Sequence, residues 1–294
     1  MWTNGYIAVD WGTTNRRGYR IAADGTCAAE FEDGQGLTSV PPGGFPAAVA
    51  EVRHRLGDVP LVMAGMIGSN RGWVEAPYVP CPAGAEELAS KLVAIPEERA
   101  FIVPGLSYLG EGRADVMRGE EAQLFGAVGT GLVPPSCLVC HPGTHNKWVV
   151  LDEGRIDRFR TVMTGELFNL LKGGSILSQW LAREVEPGEA FRRGAEQGLE
   201  GRALTAELFS IRAGVLLGQL RAEDAAPHAS GLLIGADVGT GTQGAERQTV
   251  VVMGRPELTR LYAAALDLAG FPAQEVDGER AFLAGIDLIV RQMA

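Results

Sequence analysis

The chain has 294 residues, 46% of them hydrophobic, enough to bury a sizeable core and to build two domains. Lys and Arg total 26 against 36 Asp and Glu, a net charge of -10 that argues against broad binding to nucleic acid or an anionic membrane. Any anionic ligand therefore has to be held by local donors or by a metal. The start, Met1-Trp-Thr-Asn-Gly-Tyr-Ile-Ala-Val-Asp10, shows no cationic region ahead of an apolar stretch, and no later run is long enough to span a bilayer. The expectation is a cytoplasmic protein.

In chain order, residues 6–10, 17–22 and 27–32 run apolar or alternate between Gly, Thr, Asn and Asp turns, which predicts a three-stranded β-meander. An amphipathic helix follows over 45–56, then a buried strand at 60–64, a Gly-rich loop, a helix near 86–93 and a strand at 101–103. This is α/β material. From Gly119, the segment Glu-Glu-Ala-Gln-Leu-Phe-Gly-Ala-Val predicts a helix that ends in Gly129-Thr-Gly131.

Next, Cys137-Leu-Val-Cys140-His141 spells the C-x-x-C-H of haem attachment. After a Pro-Pro pair it reads instead as a short buried strand, in which residues three apart face opposite sides. Cys137 and Cys140 then do not share one ligand. His141 and His145 bring no second Cys pair, and Cys27 and Cys81 are distant in sequence, which argues against zinc as well. The four cysteines read as small core residues.

Here the hairpin logic restarts. "GTTNRRGYRIAADG" at 12–25 is echoed by "GTHNKWVVLDEG" at 143–154, and Thr13, Asn15 and Arg16 recur 131 residues later as Thr144, Asn146 and Lys147. The chain reads as two related halves. A mainly helical stretch over 163–238, a strand at 248–253, a helix at 256–270 and a terminal helix at 279–293 complete it. Gly239-Thr-Gly241-Thr-Gln-Gly244 spells G-x-G-x-x-G, but an apparent helix precedes it and a strand follows, the wrong order for a dinucleotide fingerprint. It reads as a flexible connector.

Four features carry chemistry. Asp10 ends an apolar strand directly before the Gly12 turn, where a carboxylate is placed to hold Mg²⁺ through water and orient a nucleotide. The two Gly/Thr/Asn turns suit phosphate, because glycine lets backbone N–H groups approach oxygen closely. Lys147 is one of only three lysines and falls in the second turn, which makes it a phosphate contact. In Asp115-Val-Met-Arg-Gly-Glu-Glu121, Glu120 and Glu121 either satisfy a helix N-terminus or serve an attacking hydroxyl, while Arg118 offers a fork to a carboxylate or phosphate. The loop "AGMIGSNRGWVEAPYVPCP" at 64–82, with Ser69, Asn70 and Trp73, has the composition of a polar sugar pocket or of a surface loop.

The ordered set "AVDWGTTNRRGYR", "VMAGMIGSNRGWVEAPY", "PGL", "VMRGEEAQLFGA", "PGTHNKWV", "FRTVMTGEL", "SGLLIGADV" and "FLAGID" resembles the 2-keto-3-deoxygalactonate kinase (2-dehydro-3-deoxygalactonokinase) family. That family belongs to the actin, hexokinase and Hsp70-like ATPase superfamily. The resemblance implies two ribonuclease-H-like α/β domains with the active site in the cleft between them. They would span 1–130 and 131–294, the second with a helical insertion and a terminal helix returning to the first. It also implies ATP- and Mg²⁺-dependent phosphorylation of the C6 hydroxyl of 2-keto-3-deoxygalactonate in galactonate breakdown. The partners are then the sugar acid and ATP, with no nucleic acid and no membrane; an oligomeric state is not legible.

Carried over by position, the first phosphate loop would hold Gly12, Thr13, Thr14 and Asn15, and the second Gly143, Thr144, Asn146 and Lys147, with Gly254 near the adenosine. "RGEEAQL" is similar to the segment bearing the proposed base of the related exopolyphosphatases. Glu120 is accordingly the expected general base, with Glu121 as the alternative, and Asp10 the catalytic carboxylate that holds the metal. Arg17, Ser69, Asn70, Trp73 and Arg118 are the expected substrate contacts. The chain departs from the superfamily pattern at His141-Pro142, where an Asp is frequent, and at Met253-Gly-Arg-Pro256, where a Gly-rich loop is usual. Two other readings stay open at this point: a phosphohydrolase of the same superfamily, and a non-catalytic sensor of nucleotide or sugar acid.

Overall fold

The computed structural model describes residues 2–293. β1 (Tyr6–Trp11), β2 (Arg16–Ile21) and β3 (Cys27–Asp33) form the expected meander, and α1 (Phe45–Leu56) leads into β4 (Leu61–Gly65). There follow β5 (Tyr78–Pro80), α2 (Ala85–Ala89), β6 (Val93–Ile95), β7 (Ala100–Ile102), β8 (Gly105–Gly110), β9 (Arg113–Met117) and α3 (Glu120–Gly129). A second meander consists of β10 (Cys137–His141), β11 (Asn146–Asp152) and β12 (Arg155–Val162). The helices α4 (Thr164–Gly174), α5 (Glu189–Leu199), α6 (Leu204–Leu216) and α7 (Ala225–Gly241) come next. β13 (Val250–Met253), α8 (Pro256–Leu268), β14 (Ala273–Val276) and α9 (Glu279–Arg291) end the chain.

The repeat read from the letters is a repeat of topology. One sheet has the order β3-β2-β1-β4-β7-β6 and another β12-β11-β10-β13-β14. In each, an antiparallel hairpin (β1 with β2, β10 with β11) is extended by a parallel neighbour (β4 beside β1, β13 beside β10). This is the ribonuclease-H-like order, and the fold is mixed α/β. The described chain groups into two compact units. The first runs to Ser136 and includes Asp152–Arg158 and the segment from Gly278 onward; the second comprises Cys137–Leu151 and Phe159–Asp277.

In the first unit β1 and β4 are buried on both faces, as central parallel strands are. Ile7, Val9, Leu61 and Met63 pack with Val49, Val52 and Leu56 of α1, each burial contributing roughly 1.5–3 kcal/mol. α9 packs on α3, so the chain's last helix completes the first unit's core. In the second unit Leu138, Val250 and Val252 pack with Trp148, Phe191, Tyr262 and Leu266. Among the described residues no helix is long and apolar enough to cross a membrane.

Three local expectations are corrected. The helix near 86–93 stops at Ala89, and Val93–Ile95 pairs with β7 as an edge strand, because ladder hydrogen bonds outweigh helix preference there. The G-x-G-x-x-G run is no free connector: Gly239 to Gly241 form the last turn of α7, and a Cβ on Gly241 would lie 1.9 Å from the Trp148 ring. The second turn is also one residue longer than the first. Trp11 pairs with Arg16 across the first hairpin and His141 with Lys147 across the second, so the position equivalent to Asp10 (opposite Arg17) is Cys140 (opposite Trp148) and not His141.

Candidate active site

In the first unit three chain segments converge at one end of the central strands. Asp10 is the penultimate residue of β1, level with Ala64 of β4. β4 ends at Gly65, whose φ of 92° is open to glycine, and a Cβ there would lie 2.7 Å from the Trp11 carbonyl oxygen and 3.5 Å from Asp10 Oδ1. Gly119, with φ 110°, brings the start of α3 so close that its own Cβ would stand 3.3 Å from Gly65 Cα. The end of β1, the end of β4 and the start of α3 thus share one spot.

The turn after Asp10 is braced from one side. The Gly12 N–H donates to the Asn15 carbonyl at 2.9 Å, while the carbonyls of Gly12, Thr13 and Thr14 accept from the N–H groups of Leu37, Thr38 and Gly36 at 2.9, 3.1 and 3.1 Å. Thr13, Thr14 and Asn15 are exposed. Arg16 below them is fully buried and paired with Asp33 at 2.8 Å, a structural anchor for the hairpin.

The two glutamates of α3 stand in opposite environments. Glu121 is 0% exposed, and both its oxygens accept the Gly119 N–H, at 2.8 and 2.7 Å. Burial first, and then the neighbouring Glu120 charge, push its pKa up to about 7. Glu120 is partly exposed, and its Oε2 accepts the Arg118 N–H at 3.2 Å. Of the two, only Glu120 is reachable from solvent.

Arg118 lies directly before this pair. Its guanidinium stacks 4.4 Å over the Tyr78 ring, and Nη2 donates to the Ala76 carbonyl at 2.7 Å. Nε and Nη1 are buried without a hydrogen-bond partner. A planar cation held on an aromatic face with two unmatched donors suits a carboxylate. Of the other expected substrate contacts, Asn70 is exposed, and Trp73 is half-buried and stacked on Phe45 with centroids 6.1 Å apart. Ser69 is buried and spent within its own turn, donating to the Met66 carbonyl at 2.7 Å. Arg17 lies 3.2 Å from a Glu32 oxygen through Nε.

In the second unit the corresponding turn rests on a buried base. Asn146 is 0% exposed and Lys147 3%, so both side chains point inward; Lys147 Nζ donates to the His145 carbonyl at 3.0 Å. Gly143 and Thr144 face outward, and a Cβ on Gly143 would meet nothing within 4 Å. The start of α4 abuts this turn. The Glu166 N–H donates to the Thr144 carbonyl at 2.9 Å, His145 Nε2 pairs with Glu166, and a Cβ on Gly165 would lie 2.3 Å from the Gly143 carbonyl oxygen. Turn amides beside a helix N-terminus form an anion-binding arrangement. Gly254, at the end of β13, stands beside Pro142: its Cβ would be 3.5 Å from the Pro142 carbonyl oxygen.

Among the described residues no three His, Cys, Asp or Glu side chains cluster as a metal cage. A strand-end carboxylate such as Asp10 matches Mg²⁺, which keeps several waters and takes one or two protein carboxylates plus substrate phosphates. Sequence reasoning missed Asp237 and Thr164, which underlie the second turn. The available signal was the single charged residue in "SGLLIGADV", an apolar helical run where a carboxylate needs partners.

The sequence model of the 2-keto-3-deoxy-galactonokinase family matches residues 10–289. A 2-dehydro-3-deoxygalactonokinase of Escherichia coli (strain K12) is 40% identical over 98% of both chains. A crystal structure of a Sinorhizobium meliloti protein assigned the same activity superposes with a TM-score of 0.91 at 37% identity, covering 97% of this chain and 98% of that one. Component A of (R)-2-hydroxyglutaryl-CoA dehydratase from Acidaminococcus fermentans shares the fold alone, with a TM-score of 0.53 at 12% identity over 98% of this chain and 99% of that one. The chain belongs to the 2-keto-3-deoxy-galactonokinase family.

Proposed function

We propose that the chain transfers the γ-phosphoryl group of ATP to the 6-hydroxyl of 2-keto-3-deoxy-D-galactonate, giving 2-keto-3-deoxy-6-phosphogalactonate, as a cytoplasmic enzyme of galactonate catabolism. The observation that carries the reading is the contiguous set Arg118-Gly119-Glu120: a guanidinium with two unmatched donors beside a reachable carboxylate at a helix start. An acid recogniser and a proton acceptor are the two groups that phosphorylation of a sugar acid's hydroxyl calls for.

In this reading Arg118 binds the substrate carboxylate, and Asn70 and Trp73 contact the sugar chain. Arg17 and Ser69 support that pocket from their ion pair and turn. Glu120 accepts the proton of the attacking hydroxyl; Glu121, buried beneath it, fixes the Gly119 turn. The Gly12, Thr13, Thr14, Asn15 turn, the half-buried Gly143 and the exposed Thr144 present donors to the phosphates, Asn146 and Lys147 hold the second turn from below, and Gly254 flanks the adenosine. Asp10 would hold Mg²⁺, which when bound would supply charge neutralisation on the phosphates.

The test is a coupled assay of ADP formation with ATP and Mg²⁺, comparing 2-keto-3-deoxygalactonate, its gluconate epimer and no acceptor. Turnover that depends on the galactonate-derived acid is the expected result. ADP released without an acceptor would make the chain a hydrolase, and nucleotide binding with no ADP under any condition would make it a sensor.

A further inference from the structure

Asp237 lies within α7 among small and aliphatic residues and is 1% exposed. Burial of a carboxylate is costly unless donors surround it. Four do: Asn146 Nδ2 at 2.9 Å, Trp148 Nε1 at 2.7 Å, Thr164 Oγ1 at 2.6 Å and the Tyr262 hydroxyl at 2.6 Å. Burial pushes the carboxyl pKa up and these four hydrogen bonds pull it down. Both oxygens are used, Oδ1 by the indole and Oδ2 by the other three.

The donors come from separate elements. Asn146 closes the second turn and begins β11, and its Oδ1 lies 3.6 Å from Cys140 Sγ, which sets which way the amide faces. Thr164 is the first residue of α4, the helix whose start abuts that turn. One carboxylate therefore ties together the turn and the helix N-terminus. Tyr262, by contrast, comes from α8, which is part of neither.

We propose that Asp237 is a positioning residue: by clamping Asn146 and Thr164 together it fixes the geometry between the second turn and the start of α4, and thereby sets the affinity for the phosphate groups of a nucleotide. This rests on the assignment of the second turn to the nucleotide in the kinase reading above. Donors misplaced by about 1 Å lose hydrogen bonds to charged oxygens, each worth about 1.5–3 kcal/mol, or tenfold and more in affinity at about 1.4 kcal/mol per factor of ten, so the clamp has a measurable consequence for binding without touching the ligand.

The discriminating experiment uses two variants of the full chain that each delete one hydroxyl donor to the same carboxylate, Thr164→Val and Tyr262→Phe. Binding of a non-hydrolysable ATP analogue with Mg²⁺ is measured by titration calorimetry, beside unliganded Tm and the KM for each substrate. Both variants lower Tm, but Thr164→Val weakens analogue binding about tenfold while Tyr262→Phe changes it about twofold or less, and neither moves the sugar-acid KM. Asp237→Asn, where it folds, shows the largest loss of analogue affinity.

Equal losses in the two hydroxyl variants, or parallel losses in both KM values, would reduce Asp237 to a general stabiliser and overturn the proposal. A wild type that binds the analogue but phosphorylates no acid would overturn the kinase reading and leave this contrast to decide the clamp. A wild type that binds no analogue removes both.

Discussion

The two hairpin turns share letters and topology but stand on different foundations. The first follows Asp10, a partly exposed carboxylate, and its carbonyls are tied to the segment at residues 36–38. In the second, the equivalent register position is Cys140, fully buried with its thiol pKa pushed well up by burial, and the turn sits on the Asp237 network. The duplicated hairpin thus keeps a partly exposed carboxylate at this register position in one copy and puts a buried thiol over a clamped base in the other. Metal chemistry is expected from the first unit alone, and rigid phosphate donors from the second.

The largest expected effects fall in the first unit. Glu120→Gln lowers kcat by about 10²–10⁴-fold with little change in ATP affinity, and a fully active variant would remove Glu120 as base. Asp10→Asn lowers kcat by about 10²-fold and raises the Mg²⁺ concentration needed for half-maximal rate, since the cation loses its protein anchor. Cys140→Ala at the equivalent register position leaves the Mg²⁺ requirement where it was. A shifted requirement in the cysteine variant would break the contrast between the two turns.

How much of this was legible in the letters follows from range. The meanders, α1, α3 and the repeat could be read because apolar runs and turn formers are local signals. Asp10 and Glu120 stood out for the same reason, as carboxylates at the ends of such runs. β8, β9 and β14 went unread because four- to six-residue half-exposed strands carry little periodicity; in β8 Leu109 is 81% exposed. The inserted residue in the second turn hid the equivalence of Asp10 with Cys140, which only strand register reveals. Asp237 left one signal in sequence, a single charge in an apolar helical run, but its donors were not legible because Asn146 lies 91 residues from it and even the nearest, Tyr262, lies 25 away.

A smaller effect separates space from mobility in the second turn. Gly165→Ala forces a Cβ to 2.3 Å from the Gly143 carbonyl, an overpacking that costs about 1–3 kcal/mol and appears as a lower Tm together with a higher KM for ATP. Gly143→Ala meets nothing within 4 Å, so Tm is unchanged and only the KM for ATP rises, because the methyl group occupies the approach of the phosphate. Unaltered ATP kinetics in Gly143→Ala would move the phosphates away from this turn.

The smallest expected effect concerns the buried carboxylates, one in each unit. Asp237 has four side-chain donors, whereas Glu121 is served by backbone N–H groups alone, that of Gly119 and its own. Burial and the Glu120 charge raise the Glu121 pKa to about 7 from an ordinary carboxylate value of 4.5. The folded chain therefore holds this proton more tightly than the unfolded chain. The resulting stability is fully present below the unfolded pKa and is lost as pH rises through the folded one. The wild-type Tm should carry a downward component between about pH 4.5 and about pH 7, and Glu121→Gln, which keeps an acceptor for the Gly119 N–H but cannot ionise, should flatten it. An unchanged slope in that variant would mean that Glu121 is ionised throughout, and that backbone N–H groups at a helix start serve a buried carboxylate as well as four side-chain donors do.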